Sequence, residues 1–129
     1  MLPALIKIGA GIDTKVSKNE GRKFNMRKTM EIKGVTFEVE KPSQYRLNPW
    51  RGFLNIHECY GRPSSIKVAI YEDWKNWFLN NEDADFSVEA LGVISYNCNF
   101  FTIGAIVEYC DKLYNITITR SHNRISEIL

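Results

Sequence analysis

Arg120, His122 and Arg124 stand at alternate positions in Thr117-Ile118-Thr119-Arg120-Ser121-His122-Asn123-Arg124. Two guanidinium groups flanking an imidazole at the end of an alternating strand could hold a scissile phosphate with a general base beside it. That is the equipment of a small RNase-type toxin. The competing reading, a polar turn carrying solvated charge, outweighs it, because half a constellation supplies no complete proton path. Nucleophilic catalysis would need a thiol beside an oriented base, and nothing in the linear sequence brings Cys59 to His122. Histidine and cysteine come closest in His57-Glu58-Cys59, yet no Cys-x-x-Cys pair anchors a metal site with Cys98, Cys110 or His122. Gly9, Gly11 and Gly21 lack the Gly-Lys-Ser/Thr ending of a phosphate loop. The sequence therefore predicts no catalytic residues, no metal and no cofactor.

Charge offers more. Residues 1–33 hold eight Lys/Arg against Asp13, Glu20 and Glu31, and the remainder is mildly acidic. Arg22, Lys23, Arg27 and Lys28 form a basic arm able to contact phosphates independently of sequence, which makes a nucleic-acid-binding accessory protein the alternative to a protein-binding one. Glu82, Asp83, Asp85 and Glu89 could present carboxylates to a basic groove on a partner, in the place of nucleic acid. Trp50 with Arg51, in Asn48-Pro49-Trp50-Arg51-Gly52, is an aromatic–arginine pair of the kind found in interface hot spots. These six residues are the candidate partner-binding set.

The elements that must position these groups follow from periodicity. Met30-Glu31-Ile32 and Val35-Thr36-Phe37-Glu38-Val39 alternate on both sides of Lys33-Gly34, which predicts a hairpin whose tight turn uses Gly34. Between Cys59 and Asn81 lies the one long helical period, with Ile66, Ile70, Trp74, Trp77 and Phe78 on a single stripe. Ser64 or Ser65 can cap its start, and Asn80-Asn81 can close it in the left-handed conformation. Glu82 to Ser87 reads as an acidic loop. From Leu91 the period becomes two: strands at 92–97, 100–110 and 113–119, a tight turn at Asp111-Lys112, and a short last strand at Ile125–Leu129. The expected fold is α+β, an antiparallel β-sheet of about five or six strands with one amphipathic helix packed on one face.

A chain of 129 residues with 44% hydrophobic content suffices for one globular core. Residues 1–28 read as an apolar and basic amino-terminal extension, with Leu2–Ile12 able to dock on a second subunit as a homodimer. Residues 29–129 form the α+β domain. Met1–Ile6 is too short to cross a membrane and lacks the positive flank of a secretory signal, and the three cysteines suit reduced, buried thiols in the cytoplasm.

Gly34-Val35-Thr36-Phe37-Glu38-Val39, Asn48-Pro49-Trp50, Cys59-Tyr60-Gly61-Arg62-Pro63-Ser64, Val68-Ala69-Ile70-Tyr71 with Trp74 and Trp77, and Ser95-Tyr96-Asn97-Cys98-Asn99-Phe100-Phe101 carry a resemblance. Over residues 33–124 the chain resembles a group of small uncharacterised proteins of phages and mobile elements of Gram-positive gut bacteria. That neighbourhood includes many anti-CRISPR inhibitors. The resemblance implies a non-enzymatic interaction protein that acts in the cytoplasm of a bacterial host and inhibits a defence complex, a CRISPR effector nuclease above all. Its partner would then be a protein or ribonucleoprotein, with nucleic acid a further partner through residues 15–28.

Overall fold

In a computed structural model of the chain, which describes residues 28–47, 53–59, 63–96 and 101–129, Lys33 and Gly34 both take positive φ, 51° and 88°. Positive φ at both central positions gives the primed turn whose twist suits antiparallel strands. It joins β1 (Thr29–Ile32) to β2 (Val35–Val39), with Ile32 paired to Val35 and Met30 to Phe37, as the alternation predicts.

Four further strands complete the sheet: β3 (Phe86–Tyr96), β4 (Phe101–Tyr109), β5 (Lys112–Ile118) and β6 (Asn123–Glu127). Their order is β1-β2-β6-β5-β4-β3 in one six-stranded sheet, antiparallel except for the β2–β6 pair. With one long helix, α1 (Ser65–Asn80), the fold is α+β. β3 begins well before residue 92 because Phe86 and Val88 point to the core while Ser87 and Glu89 point to solvent, an alternation that the neighbouring acids obscure. The β4–β5 turn also sits one residue earlier than predicted. Cys110 and Asp111 supply its positive φ values, 50° and 69°, and Lys112 already pairs with Tyr109.

Cross-strand partners share a face. The row Ile125, Ile116, Ala105, Leu91 therefore crosses four strands on one side, and its first three members are at most 1% exposed. The helix lies over this side. Ser64 caps it, its Oγ accepting from the Lys67 N–H at 3.2 Å. Asn81 closes it without the left-handed conformation, at φ −101°. Instead its backbone N–H and its side-chain amide both donate to the Trp77 carbonyl, at 3.2 and 2.7 Å.

The buried stripe of α1 differs from the predicted one. Tyr71 and Phe78 are buried, Trp74 and Trp77 are half-buried, and Ile66 and Ile70 are 70% and 40% exposed. The two buried residues lie roughly 110° around the helix from the Ile66–Ile70 line, at 100° per residue. Aromatic contacts explain the rotation. Trp77 stands edge-on to Phe78 at 5.0 Å and to Phe86 at 5.8 Å, and lies 6.1 Å from Phe37; Phe78 stacks on Phe86 at 6.5 Å. Such ring pairs add about 0.5–1.5 kcal/mol each to their area burial, so the carboxyl-terminal half of the helix sets its roll.

The other side of the sheet carries a strap, residues 43–47. The Ser43 N–H donates to the Glu127 carbonyl at 2.8 Å, and the Ser43 carbonyl accepts from the Leu129 N–H at 2.7 Å. Asn115, buried on β5, accepts the Leu47 N–H at 2.8 Å and donates to the Tyr45 carbonyl at 2.9 Å. Arg46 pairs with Glu89 of β3. Leu54 then bonds to Val93 on the outer edge of β3 through both backbone groups. The backbone passes so close there that a Cβ on Gly92 would lie 2.7 Å from the Phe53 carbonyl carbon.

Phe78→Ala is expected to lower stability by about 3–5 kcal/mol, whereas Ile66→Ser should stay within about 0.5 kcal/mol; urea denaturation measures both. Asn115→Leu leaves the Leu47 N–H and the Tyr45 carbonyl without their partner, and should cost about 1–3 kcal/mol with faster hydrogen exchange at the Leu47 amide.

Candidate functional site

The roll of α1 leaves its first two turns over an open cleft. Ile66 and Ile70 form one wall, and Phe101, Ile103 and Ile118 at the ends of β4 and β5 form the floor. Its volume is about 290 Å3, at the lower end of the range for ligand-sized clefts. Two cations stand on the rim. Lys67, on the first turn of the helix, places its Nζ 4.9 Å from the centre of the Tyr96 ring. Arg120 projects from the β5–β6 loop, where the Thr119 N–H donates to the His122 carbonyl at 2.8 Å and the His122 N–H donates to Thr119 Oγ1 at 3.1 Å. Arg120 is exposed, and among the described residues no carboxylate pairs with it. Among the described residues no acidic side chain lines the cleft.

The same loop separates the three residues of the phosphate-holding reading. Arg120 turns to the helix side, while His122 and Arg124 turn to β2. Arg124 and Glu38 are cross-strand partners in the parallel β2–β6 pair. The Arg124 Nε lies 3.8 Å from Glu38 Oε1 and 3.4 Å from Glu40 Oε2, buried and without a hydrogen bond of its own, and His122 Nδ1 lies 3.7 Å from Glu38 Oε1. Opposite charges facing each other across a strand pair favour that register. Arg124 already faces two carboxylates, which offset the positive charge that a phosphate would require. Beside it, a shallow polar hollow of about 320 Å3 is bounded by the strap, with Tyr45, Thr117 and Ser126 on its walls.

The acidic candidates are held largely by their own domain. Asp83 pairs with Lys33 of the β1–β2 turn, and its Oδ1 accepts from the Asp85 and Phe86 N–H groups at 2.8 and 2.9 Å. Glu82 accepts the Val88 N–H at 2.8 Å, and Glu89 pairs with Arg46. Asp85 is exposed at the corner. Trp50, Arg51, Arg22, Lys23 and Arg27 lie outside the described residues; Lys28, exposed, precedes β1. Cys59 is buried, but Cys110 is exposed in its turn, where the positive φ of a two-residue connection leaves its side chain outside the core. Among the described residues no three His, Cys, Asp or Glu side chains gather as a metal-ligand group, and no helix is long and apolar enough to cross a membrane.

Sequence reasoning missed the cleft because it assigned Ile66 and Ile70 to the core. Tyr71 was the available signal: with Trp74 and Phe78 it gives an i, i+3, i+7 stripe that excludes both isoleucines. No family model, curated protein or solved structure matches the chain.

The hydrogen bond from Lys33, followed by those from the Asp85 and Phe86 backbone, holds the Asp83 carboxyl below its ordinary range, and Asp83 in turn raises Lys33. A depressed carboxyl contributes stability that is present above its unfolded pKa and is lost as pH falls through the lower folded value. Lys33 contributes below its unfolded pKa and loses that contribution as pH rises through the raised one. Asp83→Asn should therefore flatten the acid limb of stability below about pH 4, measured as urea midpoints against pH, with a smaller effect on the alkaline side.

Proposed function

We propose that this chain is a non-enzymatic interaction protein, and that its docking surface is built around the cleft beneath the first turns of α1. One observation carries the reading. Ile66 and Ile70 belong to the one α-helix among the described residues, yet they stand exposed beside an open apolar cleft. Exposed aliphatic side chains that continue into a cleft are costly to leave in water, and such patches mark surfaces that a partner covers. The polar clusters elsewhere support the same reading. The His122–Glu38–Arg124–Glu40 group stitches β2 to β6, and Glu82, Asp83 and Glu89 secure the entry to β3 and the strap.

The partner class comes from the resemblance to mobile-element proteins: a defence complex of the bacterial cytoplasm, with a CRISPR effector nuclease as the first candidate for inhibition. Asp85 would add a carboxylate at the acidic corner, and Trp50 and Arg51 stay candidate contacts on the sequence alone. Co-purification of the full chain with effector ribonucleoproteins, paired with a target-cleavage assay, tests this. Retention of the chain together with reduced cleavage is the expected result. No retention and undiminished cleavage across several effectors would overturn it.

A further inference from the structure

We propose that the cleft under α1 takes an acidic peptide segment, one that inserts a single apolar side chain between Ile66, Ile70 and the Phe101–Ile103–Ile118 floor and sets its carboxylates against Lys67 and Arg120. The inference rests on the interaction reading and adds the chemistry of the partner. Three features select that chemistry.

The floor and wall are aliphatic and aromatic carbon, so the inserted group is apolar. Among the described residues the rim carries two cations and no acid, and the amino-terminal end of a sixteen-residue helix adds partial positive charge of the same sign; the flanking groups of the ligand are therefore anionic. Finally, Ile66 is 70% exposed and stands proud of the cleft mouth. A small molecule held within about 290 Å3 would leave it in water, whereas an extended chain passing over the rim covers it. Nucleic acid fits less well, because the side chains standing out beside the mouth are isoleucines, which offer no ring face on which bases stack.

Selection of a randomised peptide display library against the full chain tests the proposal, with Ile66→Asp and Arg120→Glu as counter-targets. Both positions are exposed, so both variants should keep the wild-type melting temperature. The expected outcome is enrichment of sequences in which Asp or Glu flanks Leu, Ile or Phe. A synthesised peptide from that set should bind either variant at least about tenfold more weakly than wild type and should weaken as salt rises. Acid-free sequences, sequences that both variants retain, or no enrichment over the starting library overturn the proposal. So does retention of a single-stranded oligonucleotide that the same two substitutions abolish, which would assign the cleft to nucleic acid. Effector co-purification that survives both substitutions would refute this occupant and leave the interaction reading standing. Selection of the expected peptides with no effector retained would refute the partner class and leave the cleft chemistry standing.

Discussion

The contact of Phe78 and Trp77 with Phe86 governs the rest of the molecule. These rings meet where the helix ends and β3 begins, and Phe37 and Tyr109 close the cluster from the hairpin and from β4. A helix gripped by large rings at one end has little freedom to roll. Its carboxyl-terminal half is committed to the sheet, whereas Ile66 and Ile70, in its first turns, stand exposed. The cleft lies beneath those first turns, beyond the reach of the ring cluster.

The chain encloses its own sheet. From β2 it crosses one side as the strap, joins the edge of β3 through Leu54, and covers the other side with α1 before entering β3. This path explains why β4 can bury five consecutive residues, Ile103 to Val107, as strands covered on both faces do. It also explains the buried amide of Asn115, which gives the strap backbone one acceptor and one donor where no neighbouring strand could. Charge follows the same division. Glu38 and Arg124 bind the one parallel pair, Asp83 and Lys33 tie the hairpin to the start of β3, and Arg120 is left on the cleft rim.

Local features were legible before the fold. The Lys33-Gly34 turn, the Ser64 cap and the alternation of β4 and β5 each depend on a few adjacent residues. Pairing β2 with β6 was not legible, because it joins segments more than eighty residues apart and needs the whole intervening chain to wrap first. The roll of α1 escaped for another reason. Ile66 and Ile70 are as apolar as Tyr71 and Phe78, so a hydrophobic count cannot choose between the two stripes; the ring contacts choose. Arg120 and His122 looked like one site because they are two residues apart, but the loop that Thr119 closes sends them to opposite sides. For the cleft, legibility was therefore least where it mattered most.

Solvent paramagnetic relaxation of the isoleucine methyl groups reports most directly which face of α1 meets water. With an inert soluble paramagnetic probe, the Ile66 and Ile70 methyls should relax strongly while those of Ile56, Ile116 and Ile125 stay near the diamagnetic rate. Protection of Ile66 and Ile70 equal to that of those core residues would contradict the account, because the helix would then face the sheet with its predicted stripe and no docking surface would exist.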